Sequence, residues 1–80
     1  MTTKILFDLE YLKSLMQKGQ FPNPKDLADE IRQRYPESEV SEESLLAAFK
    51  FGVMEKSQLS EIGAFFDLTK EQFQNLIRHP

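Results

Sequence analysis

Apolar residues recur at helical rather than strand spacing along most of the chain. Leu59, Ile62 and Phe66 stand at i, i+3 and i+7, which puts them on one face of a helix; Phe73, Leu76 and Ile77 share a face of another after a short polar break. Upstream, Leu45, Leu46, Ala48, Phe49 and Phe51 cluster on a third helix. Leu27, Ala28, Ile31 and Tyr35 form a buried stripe on a fourth, and residues 3–18 carry apolar residues of their own. No stretch alternates with period two for long enough to predict a strand. The pattern predicts five helices over residues 3–18, 24–34, 42–51, 57–66 and 70–78. The fold class that follows is all-α, a compact bundle of short helices in a single domain spanning residues 1–80.

The helix ends are marked by residue type. Gly19 fits the C′ position after Lys18, whose charge suits the negative end of the dipole. Asn23 caps the next helix and Pro24 occupies its first turn; Pro36 ends it. Phe21, in the loop between, is expected to tuck onto the core. Ser41 caps the third helix ahead of Glu42 and Glu43, with Val40 able to staple against Leu45, and Gly52 fits its stop. Lys56 and Ser57 open the fourth. Thr69 and Gln72 form a capping box for the fifth, with Leu68 and Phe73 as its hydrophobic staple.

The stretch 3–18 holds two seams. Ile5, Leu9, Leu12 and Met16 make one; Phe7, Tyr11 and Leu15 make the other, turned about 90–180° away at helical periodicity. A helix covering one small core needs one seam. Either this helix lies centrally between two neighbours, or the Phe7, Tyr11 and Leu15 seam faces a partner protein or a second copy of the chain.

The run Leu59–Ile77 resembles the helix-turn-helix superfamily. Its members place apolar residues where Leu59, Ile62, Phe66, Leu68, Phe73 and Leu76 stand, and a small residue where Gly63 lets the two helices cross closely. The turn usually holds glycine at the position of Asp67, because a left-handed backbone is cheapest there for glycine; Asp tolerates it better than most residues. The resemblance covers about 20 of 80 residues, and implies that the last three helices form a three-helix core. Such units serve both DNA recognition and plain protein interaction.

Composition narrows the function. The chain has no cysteine, which removes disulfides, thiol nucleophiles and cysteine-based zinc sites. Residues after Met1 lack the apolar core of a signal peptide, and no apolar run reaches the 18 or so residues needed to span a bilayer. The expectation is a soluble cytoplasmic protein without a membrane or small-molecule partner. The one histidine, His79, sits beside the last residue without a positioned base or nucleophile. The acidic pairs Asp29–Glu30, Glu37–Glu39 and Glu42–Glu43 match no metal-loop spacing, and three scattered glycines build no phosphate loop. No enzyme, metal or cofactor is expected.

A nucleic-acid role rests on the last helix. With Phe73, Leu76 and Ile77 buried, Lys70, Glu71, Gln74, Asn75 and Arg78 face outward; Gln and Asn can read adenine edges and Arg guanine. The charge works against it. From Ser41 onward there are four basic residues against six acidic, and before it six against seven, for a net charge of −3. The first expectation is therefore a small protein–protein interaction module using the Phe7, Tyr11, Leu15 seam, as a homodimer or with another protein. The alternative is a DNA-binding regulator using Lys70, Gln74, Asn75 and Arg78. A third reading is an acidic inhibitor of a host protein from a phage or mobile element.

Overall fold

A computed structural model describes residues 3–77. Its first departure from the sequence pattern is at Asp8. The Asp8 carboxylate accepts a hydrogen bond from the Tyr11 N–H at 3.1 Å, so the first helix begins beside it rather than at residue 3. The residues upstream form a short strand, β1 (Lys4–Leu6), and α1 spans Leu9–Lys18. The other helices are α2 (Pro24–Arg34), α3 (Glu42–Phe51), α4 (Lys56–Phe65) and α5 (Lys70–Leu76), with a second strand, β2 (Val53–Glu55), between α3 and α4. The fold is thus a five-helix bundle carrying a small two-stranded ribbon.

The ribbon is antiparallel, pairing Lys4 with Glu55, Ile5 with Met54 and Leu6 with Val53. The Phe7 N–H donates to the Gly52 carbonyl at 3.3 Å, and the Lys56 N–H to the Thr3 carbonyl at 2.9 Å. On its other flank Phe7 bridges Ile77, and the Asp8 N–H donates to the Leu76 carbonyl at 2.7 Å. The start of the chain therefore lies between β2 and the end of α5. This removes the puzzle of two seams on one helix. Ile5 and Phe7 turn inward as alternate positions of an extended segment, while Leu12, Leu15 and Met16 are the buried residues of α1.

Leu12, Leu27, Ile31, Val40, Leu45, Leu59, Ile62 and Leu76 are sealed from solvent around Phe7. Two expectations of burial shift. Tyr35 is exposed: it is the C-cap of α2, with non-helical backbone, so the stripe ends at Ile31. Phe65 is the buried aromatic at the end of α4, and Phe66, its C-cap, is half-buried. Phe21 packs between them, at 5.7 Å from the Phe65 ring and 6.1 Å from the Phe66 ring, so the loop does tuck onto the core. Gly19 ends α1 with right-handed backbone, and Gln20 carries the positive φ instead. Glycine is needed at 19 because a Cβ there would stand 2.6 Å from the Phe21 ring.

The remaining caps are as the residue types predict. Asn23 accepts from the Asp26 N–H, Ser41 and Ser44 form a capping box, and Gly52 ends α3 at φ 72°. In the second box the Gln72 N–H donates to the Thr69 hydroxyl at 3.2 Å, and the Thr69 N–H to the Gln72 side-chain oxygen at 2.9 Å. Thr69→Ala should cost about 1 kcal/mol, read as a lower urea midpoint at unchanged slope.

Between α4 and α5 the backbone turns left-handed at Asp67, φ 55°. Gly63 lets the helices approach: a Cβ on it would lie 2.8 Å from Phe73 Cδ1. The turn closes with the Leu68 N–H donating to the Gly63 carbonyl at 3.0 Å. Asp67→Val should destabilise by about 1–2 kcal/mol, the cost of a left-handed β-branched residue, whereas Asp67→Gly should be close to neutral in the same thermal melt.

Candidate interaction surface

The seam expected to face a partner is largely used by the chain itself. Phe7 is 2% exposed, Leu15 is buried and Tyr11 is half-buried against the core cluster. Phe7 is not on α1 at all, so the three never form one helical face. The seam is corrected to core and is not a docking surface.

The nucleic-acid candidates fare differently. Lys70, Gln74 and Asn75 are exposed along α5, as their spacing predicts. Arg78, like His79, lies outside the described residues. Beside this helix runs a shallow groove of about 290 Å³ lined by Ser60, Gly63, Ala64, Asp67, Leu68 and Phe73. A larger groove of about 510 Å³ sits where α1 meets the loop to α2, with Met16, Phe21 and Phe49 as its apolar wall. Neither contains paired titratable groups. Among the described residues no three His, Cys, Asp or Glu side chains converge to hold a metal ion.

Among the described residues the exposed large apolar side chains are Leu6 on the ribbon, Tyr35 at the end of α2, and Leu46 and Phe51 on α3. The side chains of Ile5 and Met54 point to the core, so the register puts Lys4, Leu6, Val53 and Glu55 on the opposite face. Leu6 is 48% exposed. Phe51, one residue beyond the Gly52 that bonds Phe7, is 66% exposed, with the Lys50 ammonium 5.4 Å from its ring centroid. Leu46, half a helical surface away on α3, is 50% exposed. Phe51 was visible in the sequence as part of the α3 cluster. Its freedom was not, because it stands about 120° from Leu45 and outside the arc that Leu45, Ala48 and Phe49 bury. Leu6 could have been found from Asp8: accepting that cap makes residues 4–6 extended and turns Leu6 away from Ile5 and Phe7.

Ionic contacts around this surface are sparse. Among the described residues two ion pairs close, Lys13–Glu10 at 3.8 Å and Lys25–Asp29 at 2.9 Å, both at helical spacing on exposed faces. The hydrogen bond from Lys25 to Asp29, reinforced by the carboxylate charge, raises the lysine above its ordinary value. Lys4 and Glu55 face the same way as cross-strand neighbours but do not close a pair. A buried polar link sits on the far side, where the Ser38 hydroxyl donates to the Glu61 carboxylate and accepts from the Val40 N–H at 3.1 Å. It holds the α2–α3 connector to α4 and faces no cavity described above.

Among the described residues no helix is long and apolar enough to cross a membrane. No family model, curated protein or solved structure matches the chain.

Proposed function

We propose that the chain is a small, cytoplasmic, non-enzymatic module that binds another protein chain through the apolar end of its ribbon. One observation carries the reading: Leu6 and Phe51 are 48% and 66% exposed, and the Phe7 N–H bond to the Gly52 carbonyl joins the residues that follow each of them. Exposed aromatic and aliphatic residues flanked by charge are the composition of an interface core with its rim. Relative to the sequence expectation, the surface moves from α1 to the ribbon and the last turn of α3.

Replacing Phe51 with a photocrosslinking phenylalanine analogue tests this in cells. The expected result is a covalent adduct to a second polypeptide, lost when Leu6→Asp is added. Absence of any adduct, or adducts indifferent to Leu6→Asp, would refute the reading. Leu6 and Phe51 are both exposed and outside the core cluster, so neither Leu6→Asp nor Phe51→Asp should unfold the chain, and thermal melts should move by only a few degrees.

A second reading is favoured by a separate observation, the left-handed Asp67 turn leading into the exposed polar face of α5. On this reading the chain is a DNA-binding regulator in which Lys70, Gln74 and Asn75 meet a duplex. Amide shifts confined to residues 69–77 on adding mixed-sequence duplex, fading as salt rises, would support it. A titration without such shifts rejects it.

A further inference from the structure

We propose that the outward face of the ribbon is a homodimer surface, packed on a second copy of the chain around a two-fold axis parallel to its strands. The inference rests on the interaction reading above and names the partner.

The argument is one of pattern. The face has a charged end, Lys4 on β1 opposite Glu55 on β2, and an apolar end, Leu6 opposite Val53. Phe51, two residues before Val53 in the chain, is also exposed. A two-fold contact sets the same patch against itself, so the patch must be complementary to its own image. An axis across the strands sets each charged end against an apolar one, so all four ions of the two copies face apolar residues. An axis along the strands exchanges β1 for β2 while keeping the ends aligned. Each Lys4 then meets the second copy's Glu55, and each Leu6 meets its Val53. The two ammonium–carboxylate pairs that fail to close within one chain close between two, and Leu6 leaves water. Stacked sheet faces sit about 10 Å apart, a spacing that side chains of these lengths fill. The patch is small, so association is weak, on the order of 100 μM.

Sedimentation velocity between about 10 μM and 1 mM gives the test. The intact chain should shift from monomer to dimer across that range. Lys4→Glu leaves the charged end wholly anionic, and Glu55→Lys leaves it wholly cationic. Each variant alone should associate at least about tenfold more weakly. Mixed in equal amounts they should regain dimers, because the opposed ends now match between chains. Recovery on mixing cannot come from changes within one chain, which separates the dimer from any effect of either substitution on the ribbon. Leu6→Glu, whose side chain points away from the core, should be monomeric and folded.

Three results would overturn the inference: a monomer up to 1 mM, dimers untouched by Leu6→Glu, or no recovery in the mixture. An adduct from position 51 to a different protein, with a monomeric chain, would overturn the homodimer and keep the interaction reading. A monomer up to 1 mM together with no adduct from position 51 would sink both.

Discussion

Phe7→Ala will lower the unfolding free energy by about 3–5 kcal/mol, the cost of emptying a fully enclosed aromatic site. Phe7 is 2% exposed, and its backbone is held on both sides, by Gly52 and by the bridge to Ile77. Little around it can relax into the cavity, because the flanking segments are fixed to each other through it. A domain of this size has a total stability of only about 4–12 kcal/mol. The variant should therefore be partly unfolded at room temperature or melt far below the parent chain. Urea titration followed by far-ultraviolet circular dichroism measures it, with Phe51→Ala as the contrast. That exposed residue should cost less than about 1 kcal/mol. Similar losses at the two positions would mean that Phe7 does not occupy the core.

Gly63→Val should be nearly as damaging, at about 2–3 kcal/mol. Helix propensity alone favours replacing a mid-helix glycine by any residue but proline, by about 1 kcal/mol for alanine. Here sterics oppose it. The new Cβ would lie 2.8 Å from Phe73 Cδ1 and 3.1 Å from Cε1, too close for either atom to stay. Phe73 sits in the second turn of α5, whose start is fixed by the Thr69 box and the Asp67 turn, so the ring cannot withdraw without moving the helix. Gly63→Ala divides the two effects and should lose less. Adding Phe73→Leu to Gly63→Ala should recover part of the loss, a coupling of about 1 kcal/mol that distant sites do not show. Strict additivity of that pair would place the helix contact elsewhere.

The helical part of the fold was legible because each helix carries its own boundary signals within a few residues of one another. Asn23 with Pro24, Ser41 with Ser44, and Thr69 with Gln72 are local chemistry, and local chemistry is readable in one dimension. The left-handed turn at Asp67 and the close approach at Gly63 were legible only through the resemblance carried by Leu59–Ile77, which set a small residue at the crossing and a left-handed backbone at the turn. The ribbon was not. Each strand has three residues, so neither offers enough alternation to outweigh helical periodicity, and their partnership spans nearly fifty positions. Asp8 is an equally local signal, but Ile5, Leu9, Leu12 and Met16 at helical intervals concealed it. That single boundary carried the site with it. Reading residues 3–7 as helix turned Phe7 outward and hid Leu6, which inverted which of the two faces solvent.

The placement of Phe7 beside Ile77 also governs when the molecule can finish folding. Residues 4–7 leave a ribosome before either of the segments that flank them, β2 on one side and the end of α5 on the other. Helices α1 to α4 can form as they are made, but the segment before Asp8 must wait for Leu76 and Ile77 to be synthesised. Closing a loop of that length costs only slowly growing entropy yet falls late, since non-local pairs reward the chain only after the local ones exist. Until then Ile5 and Phe7 are exposed beside Leu6 on the growing chain, apolar residues that are covered only once α5 has been made.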